Sequence, residues 1–237
     1  MKNVSIIIPA FNEEKTIEKL INKILSIDLS NINFTKEIIV VDDGSTDKTA
    51  QICSNYKNVK LIKQKNMGKG SAVQKGILQS CGDYILVQDA DMEYDPFYYH
   101  KLLMPFVEKK NNIAIYGSRY LKEDGSLIKK PFKDQNIFAF FFNYFLSFLF
   151  MIIHGKFVSD LLTGYKIYEK KFFNENKIYT KGFETDHEIT IKLLKNKINI
   201  IEIPIKYYPR TKKEGKKISY KDAIKAVLAV IKYKFVN

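Results

Sequence analysis

Short apolar runs alternate with helical patterns through the first half of the chain, and this alternation limits the possible folds more than any other feature. The runs at 4–8, 37–41, 59–62, 84–87 and 113–117 are rich in Ile, Leu and Val and end at turn signals, which is typical of buried strands. Helical patterns separate the first four runs. A repeat of strand, loop and helix predicts an α/β fold with a parallel sheet, right-handed crossovers and ligand binding at the carboxyl ends of the strands.

Capping signals set the expected helix boundaries. The polar residues 12–14 indicate the start of the first helix, because acids favour a helix N-terminus. Ser45 or Thr46 is expected to cap the second helix. The third helix is expected to run to about Cys81.

The fourth apolar run stops at three carboxylates spaced two residues apart, Asp89, Asp91 and Glu93. A strand that ends here delivers them to the ligand-binding edge, where they can share a hard cation with a phosphate-bearing ligand. Asp and Pro are also common in solvated turns, so an isolated D-x-D motif carries little weight. The loops after the other strands give the motif its weight.

Polar loops also follow the second and third runs. Asp42 and Asp43 end the second run, and residues 66–70 (NMGKG) lead into the third helix. Neither G-x-x-x-x-G-K nor G-x-G-x-x-G occurs in the chain. The sequence therefore argues against a P-loop NTPase or a dinucleotide enzyme.

Taken in order, these loops resemble the signature of family 2 glycosyltransferases, which have the GT-A fold. The resemblance implies a Rossmann-like α/β architecture in which helices flank a mixed, mainly parallel sheet. Within that family the chain is most similar to the dolichyl-phosphate mannosyltransferase-like branch, which moves a sugar from a nucleotide onto polyprenyl phosphate. The matching motifs are 7–13 (IIPAFNE), 41–45 (VDDGS), 66–70 (NMGKG), 89–91 (DAD), 117–119 (GSR), 160–165 (DLLTGY), 182–190 (GFETDHEIT), 202–205 (EIPI) and 210–218 (RTKKEGKKI).

The resemblance implies an inverting transfer from a nucleotide-sugar, with Mg²⁺ or Mn²⁺ stabilising charge on the leaving diphosphate. It implies that Asp91 and Glu93 bind the metal, that Asp89 contacts the metal or the ribose, and that Asp91 is catalytic. One member of the pair 42–43 is expected to hold base or ribose. The full set implied for nucleotide-sugar binding is Pro9, Ala10, Asn12, Glu13, Asp42, Asp43, Lys69, Asp89 and Ala90.

A phosphate acceptor needs cations more than a general base, because a phosphate monoester with a second pKa of about 6 is already anionic near neutral pH. Arg119 and Arg210, the two arginines of the chain, lie where the branch places phosphate-contacting arginines, and guanidinium suits phosphate. Lys216 and Lys217 are expected to assist. Between Arg119 and residue 136 the branch often has another arginine, whereas this chain has Lys129, Lys130 and Lys133.

Two other functions stay open at this point. Some relatives that act on a hydroxyl of a glycan or lipid place a general base in the region of Asp186, although acids there also stabilise a helix N-terminus. The chain could instead be a non-catalytic nucleotide-sugar-binding or membrane-scaffold protein. Catalysis would be unnecessary for that role, so loss of Asp91 would leave it intact.

Residues 137–153 (IFAFFFNYFLSFLFMII) and a formal net charge of +13 predict a membrane partner. Asn136, Asn143, Ser147 and His154 fall within about 40° on a helical wheel, so the helix at about 136–154 has a narrow polar stripe. A helix lying in the interface is favoured over a buried core helix or a bilayer span. The phenylalanines and the basic residues are segregated, which argues against a nucleic-acid partner.

The expected organisation is a single GT-A domain over 1–237, peripheral on the cytoplasmic face of a membrane. Residues 1–118 form the nucleotide-sugar half, 119–218 the acceptor half, and 219–237 a C-terminal amphipathic helix. In that helix, Lys221, Lys225 and Lys232 share one side, and the residues expected to pack are Ala223, Val227, Val230 and Ile231. The chain enters its first strand at once, so no signal peptide is expected. Oligomeric state stays open.

Overall fold

The computed structural model describes residues 1–108, 111–128, 130–131, 135–210 and 220–235. The strands are β1 (Lys2–Ala10), β2 (Phe34–Asp42), β3 (Lys60–Lys63), β4 (Tyr84–Val87), β5 (Ile113–Ser118), β6 (Lys166–Glu169) and β7 (Asn199–Pro204). The helices are α1 (Ile17–Ser26), α2 (Thr49–Ser54), α3 (Lys69–Leu78), α4 (Tyr99–Val107), α5 (Ile137–His154), α6 (Lys171–Glu175), α7 (Thr185–Lys195) and α8 (Tyr220–Phe235).

The strands form one sheet in the order β3-β2-β1-β4-β6-β5-β7. Strands β3, β2, β1 and β4 are mutually parallel, and β5 is parallel to β7. Strand β6 lies between β4 and β5 and runs antiparallel to both. The predicted α/β fold with a mixed, mainly parallel sheet is confirmed, and each of the five predicted strands lies where the sequence placed it.

Helices bury both faces of the sheet, which explains why its strands are almost continuously apolar. In β1, Ile6 and Ile8 join the core under α1, α2 and α4, whereas Ile7 joins the core under α3, α5, α7 and α8. A Cβ atom on Gly76 would stand 2.4 Å from Ile7 Cγ2, so glycine lets α3 pack directly on β1. With both faces covered, the loops at the carboxyl edge stay open to ligands.

The first two helices begin later than the capping signals predicted. Helix α1 starts at Ile17 and α2 at Thr49, where the side chain of Asp47, not that of Ser45 or Thr46, accepts from Thr49 N at 2.9 Å. The predicted capping residues tie two loops together instead, because Asn12 N donates to Ser45 Oγ at 3.0 Å and Thr46 N donates to Asn12 Oδ1 at 2.8 Å. Helix α3 also ends early, at Leu78, so Cys81 lies in an exposed turn.

Helix α5 buries the middle of its polar stripe together with Phe140, Leu146 and Phe150, and leaves its other large apolar side chains half-buried or exposed. Asn143 and Ser147 are fully buried, and Asn143 Nδ2 donates to Ser159 O at 2.7 Å. Within the described residues α5 is the helix that is long and apolar enough to cross a membrane, with 28% of it buried in the protein. Its exposed apolar side chains are Ile137, Phe138, Phe141, Phe145, Phe148 and Ile152.

Helix α8 packs beside α5 and α7 and continues this exposed apolar surface. Its buried side chains are Ala226, Ala229, Val230 and Tyr233. Ile231, which the sequence predicted to pack, is 42% exposed, because it falls on the outward side with Ile224 and Leu228. Lys225 and Lys232 are exposed as expected, while the side chain of Lys221 lies outside the described residues. We call the outward apolar residues of α5 and α8 the apolar face.

Candidate active site

Three loops meet at the carboxyl edge because β1 lies between β2 and β4. The register pairs Ala10 with Asp42 and Ile7 with Val87, so the segments that follow these strands begin side by side. Pro9 and Ala10, at the end of β1, therefore lie beside predicted site residues that come up to about eighty positions later in the sequence. The backbone carbonyl of Ala90 accepts from Thr16 Oγ1 at 2.8 Å, which fixes the start of the segment 89–93, here called the acidic loop.

The two neighbouring acids Asp42 and Asp43 have different surroundings. Asp43 anchors the loop before α3, since its carboxylate accepts from Gln64 Nε2 at 2.6 Å, Met67 N at 2.9 Å and Gly68 N at 2.8 Å. Asp42 accepts a long bond from Ser45 N at 3.4 Å. Of this pair, Asp42 therefore keeps acceptor capacity for a ligand, and Asp43 organises the loop.

Lys69, the first residue of α3, forms an ion pair with the first acid of the D-x-D motif. Its Nζ lies 2.6 Å from Asp89 Oδ1. Burial alone would lower the pKa of Lys69, but Asp89 and Asp186 outweigh it and the pKa is raised. Asp89 fits here because residue 164 is glycine, since a Cβ at Gly164 would stand 2.1 Å from Asp89 Oδ2. The ion pair thus fixes the position of the Lys69 ammonium group beside the acidic loop.

Arg210 lies among the remaining acids of the site. Its Nη1 is 3.0 Å from Glu13 Oε2, its Nη2 is 2.8 Å from Asp91 Oδ2, and its backbone N donates to Glu93 Oε1 at 2.7 Å. Tyr207 Oη donates to the other oxygen of Glu93. Residues far apart in sequence are therefore joined by one guanidinium and one carboxylate.

The acidic loop has the charge and the donor atoms that a divalent cation needs. Burial, Asp89 and Glu93 raise the pKa of Asp91 to about 7, and Arg210 offsets only part of this effect. Carboxylate oxygens are the ligands that Mg²⁺ and Mn²⁺ prefer. In the part of the chain that is described, no three carboxylate, imidazole or thiolate groups converge as they stand on one point for a metal. The carboxylate oxygens of Asp91 and Glu93 are therefore suitable ligands for such an ion, and in this structure the guanidinium of Arg210 lies beside them.

Arg119 is fixed by Asp160 of the DLLTGY motif. Its Nε and Nη2 each lie 2.7 Å from an oxygen of that carboxylate, and its backbone N donates to Asp160 Oδ2 at 3.0 Å. Its guanidinium carbon stands 4.8 Å from the centre of the Tyr207 ring. Arg119 therefore supports Tyr207 and, through it, Glu93, and its predicted contact with an acceptor stays a prediction.

Asp186 is the second residue of α7 and pairs with a lysine that was not among the predicted site residues. Lys166 Nζ lies 2.9 Å from Asp186 Oδ1, and the Lys166 side chain is fully buried on β6. Burial would raise the pKa of Asp186, but Lys166 and Lys69 outweigh it and the pKa is lowered. For Lys166, burial outweighs Asp186 and lowers the pKa. A lysine inside the apolar run 165–168 is the sequence signal that could have revealed this pair.

Two clefts accompany these elements. One of about 260 Å³, partly open to solvent, is lined by Lys69, Gly70 and Asp186 among others. Gly70 permits it, because a Cβ there would stand 1.8 Å from Thr185 Oγ1 at the start of α7. The larger cleft, about 520 Å³, lies at the opposite edge around Asn112 and Asn196. Lys216 and Lys217, predicted to bind the acceptor, lie outside the described residues.

Comparison with known proteins agrees with the motifs. Residues 5–175 match the family model described as glycosyl transferase family 2. The chain is 28% identical over 248 residues to a dolichyl-phosphate beta-glucosyltransferase of Dictyostelium discoideum, covering 98% of this chain and 74% of the relative. It is 30% identical over 229 residues to the UDP-N-acetylglucosamine–dolichyl-phosphate N-acetylglucosaminyltransferase of Methanococcus voltae, covering 86% and 85%.

Among solved structures, the chain resembles glucosyl-3-phosphoglycerate synthase from Mycobacterium tuberculosis in complex with Mn²⁺, uridine diphosphate and glucosyl-3-phosphoglycerate. The TM-score is 0.72 at 18% identity, and the match covers 98% of this chain and 80% of the other. At that identity the likeness shows a common fold.

Proposed function

Because the chain belongs to glycosyl transferase family 2 and has the GT-A fold, it is a glycosyltransferase, and we propose that it transfers a sugar from a UDP- or GDP-linked donor to a polyprenyl phosphate, either dolichyl or undecaprenyl. The two relatives described above are named for transfer to dolichyl phosphate, with two different sugars. The transfer inverts the anomeric centre, so an α-linked donor gives a β-linked product. The single observation that carries the choice of acceptor is the Lys166–Asp186 ion pair.

The donor binds along the carboxyl edge. Asp42 accepts hydrogen bonds from the base or ribose, and Lys69 lies close enough to the acidic loop to face the diphosphate. A divalent ion, Mg²⁺ or Mn²⁺, held by Asp91 and Glu93 with Asp89 beside it, supplies Lewis-acid stabilisation of the leaving diphosphate. Glu13 and Asn12 order the loop after β1 around this pocket.

The acceptor is an anion that must approach another anion. A phosphate monoester is a nucleophile without help from a base, so the protein has to supply positive charge and orientation. Arg210 and Arg119 both lie at the rim of the acidic loop, and guanidinium binds phosphate in a bidentate fork. Lys216 and Lys217 follow Arg210 in sequence and are proposed to join them.

The same-class alternative, a hydroxyl acceptor, requires Asp186 to remove a proton. An efficient base has a pKa near the working pH, but the pKa of Asp186 is lowered by two ammonium groups. One of its oxygens is also held by Lys166 at 2.9 Å. Asp186 is therefore a better hydrogen-bond acceptor for the donor sugar than a general base, which favours the phosphate acceptor.

We propose that the apolar face of α5 and α8 rests in the cytoplasmic leaflet. Each deeply inserted Phe contributes roughly 1.5–3 kcal/mol, and each basic residue near an anionic leaflet about 1 kcal/mol. Phe138 and Phe141 are 84% and 63% exposed, and exposed basic residues include Lys130, before α5, and Lys232, on α8. This arrangement brings the acceptor half of the site to the lipid without requiring a bilayer span.

The test is an assay of nucleoside diphosphate release with purified protein, Mn²⁺ or Mg²⁺, a panel of UDP- and GDP-sugars, and a lipid in detergent. The matched pair of acceptors is one polyprenyl phosphate and the corresponding polyprenol, which differ only in the phosphate. We expect release with one donor and the phosphate lipid, and loss of release in Asp91→Ala and Arg210→Ala.

Release with the polyprenol and not with its phosphate, together with dependence on Asp186, would assign the hydroxyl acceptor instead. Binding of a nucleotide-sugar without release under any acceptor would return the chain to a non-catalytic role.

A further inference from the structure

The guanidinium of Arg210 is the counter-cation of the acidic loop. It contacts Glu13 at 3.0 Å and Asp91 at 2.8 Å, and its Nε lies 3.8 Å from Glu93 Oε1. The side chain is only 16% exposed, so these contacts are largely shielded from solvent. Three carboxylates gathered in a shielded site repel each other unless a cation lies among them.

A divalent cation and this guanidinium need the same oxygens. Asp91 Oδ2 accepts from Arg210 Nη2, and Arg210 Nε lies 3.8 Å from Glu93 Oε1, yet Asp91 and Glu93 are the residues whose chemistry fits the metal. The carboxylates of the described chain do not converge on one point as they stand. An ion held by Asp91 and Glu93 would lie next to the positive charge of the Arg210 guanidinium and would be repelled by it.

We propose that Arg210 is a built-in competitor of the divalent cation. Binding of the cation displaces the guanidinium from Asp91 and Glu13, and the displaced Arg210 is then available to the acceptor phosphate, a second step that rests on the proposed function. Metal and donor therefore bind before the acceptor. In their absence Arg210 neutralises the site and withholds its own charge from phosphate.

The backbone allows this exchange without disturbing the strands. The segment before Arg210 is held on the acidic loop, because Tyr207 bridges to Tyr94 and Tyr208 N donates to Glu93 O at 3.0 Å. Displacement therefore needs rotation at Arg210 itself, whose side chain points back to the loop. Tyr207 and its contact with Glu93 keep the anchor in place while the guanidinium leaves.

The first test is direct Mn²⁺ binding, measured by the signal of free Mn²⁺ in electron paramagnetic resonance, without nucleotide or lipid. Arg210→Gln is expected to bind Mn²⁺ at least about fivefold more tightly than the wild type, since charge-assisted hydrogen bonds no longer have to be broken. Arg210→Lys, which keeps the charge, is expected to fall between them. Lys101→Gln, which removes a charge paired with Glu123 elsewhere, controls for net charge and is expected to bind like the wild type.

Unchanged or weaker Mn²⁺ binding by a folded Arg210→Gln would overturn the proposal, because it would make Arg210 a support of the metal site and not its competitor. Circular dichroism melting without metal establishes that each variant is folded. If Arg210→Gln does not fold, the comparison of Arg210→Lys with Lys101→Gln still decides the sign of the effect.

A second measurement follows Arg210 itself. The chain has no tryptophan, so Tyr208→Trp, at a side chain that is 57% exposed, introduces a single tryptophan two residues away, whose emission can be excited apart from that of the tyrosines. Adding Mg²⁺ is expected to shift its emission, and the shift should vanish in Tyr208→Trp combined with Arg210→Gln. A shift of equal size in both proteins would contradict the displacement. Neither measurement uses donor or acceptor, so either can fail while the transferase assay succeeds.

Discussion

The carboxyl edge of the sheet and the apolar face of α5 and α8 depart from the usual pattern of burial in opposite directions. At the edge, the charged side chain of Lys166 is fully buried and that of its ionic partner Asp186 is only 21% exposed. On the apolar face, phenylalanines such as Phe138 are exposed, because no other part of the described chain covers them. Charges are rarely buried unless paired, and large apolar patches are rarely left exposed. The charged groups of the edge are therefore compensated within the protein, whereas no described residue covers the apolar face, for which a membrane is the partner we propose.

The largest effect on stability is expected when one member of a charged pair at the edge is removed. Lys166→Met leaves the partly buried Asp186 beside a single remaining ammonium, that of Lys69, so we expect a loss of about 3 kcal/mol in the free energy of unfolding. The double variant Lys166→Met/Asp186→Asn should recover most of this loss, because an uncharged pair needs no compensation. Urea unfolding measures both, and equal destabilisation of the two variants would mean that packing and not charge holds the site.

His187 sharpens the comparison through pH. Burial and the positive charge of Lys166 lower the pKa of this histidine to about 4, with Asp186 acting in the opposite direction. The folded-state pKa lies below the unfolded value of about 6.5, so the unfolded chain binds more protons between pH 6.5 and 4. We expect the free energy of unfolding to fall by about 3 kcal/mol across that window, fully restored above it. His187→Gln should lose this component of the pH dependence, as measured by urea unfolding at several pH values.

Asp91 separates function from stability within the same edge. Asp91→Asn keeps the shape of the side chain but removes a ligand charge from the acidic loop, so we expect nucleoside diphosphate release to fall by at least about a hundredfold. The melting temperature should change little, because the variant loses a contact with Arg210 but also loses repulsion from Asp89 and Glu93. A large drop in melting temperature with the same loss of activity would show that the acid is structural.

The apolar face should give the smallest and most specific effect. Phe141→Ser is expected to weaken binding to anionic vesicles by about tenfold while leaving urea unfolding unchanged, since its ring is already more than half exposed. Leu78→Ser, at a residue that is 81% exposed at the end of α3, is the matched control and should bind vesicles like the wild type. Sedimentation with vesicles measures all three. Equal losses in both proteins would assign the binding to general hydrophobicity.

The sequence predicted those features that depend on neighbours along the chain. The five strands followed from local periodicity, and of the predicted α5 polar stripe Asn143 and Ser147 are buried whereas Asn136 is exposed. The helix starts after β1 and β2 were wrong because Asn12, Ser45 and Thr46 bond to each other across thirty-odd residues and not to the nearest helix. The partners of Lys166 and Arg119 were missed for the same reason, since Asp186 and Asp160 are distant from them in sequence and come close only in the folded chain.

The position of β6 has a consequence for how such a chain can vary. The segment between β5 and β6 leaves the sheet at one strand and returns at the adjacent one, and Gly117 N donates to Tyr165 O at 2.9 Å where its two ends meet. An excursion with joined ends can change in length and sequence without moving the strands on either side. The segment that contains α5 thus behaves as an exchangeable cassette. We expect that grafting the corresponding segment of another transferase between Tyr120 and Ser159, which keeps Arg119, Asp160 and Gly164 in place, would alter the choice of acceptor while the nucleotide-binding loops keep their geometry.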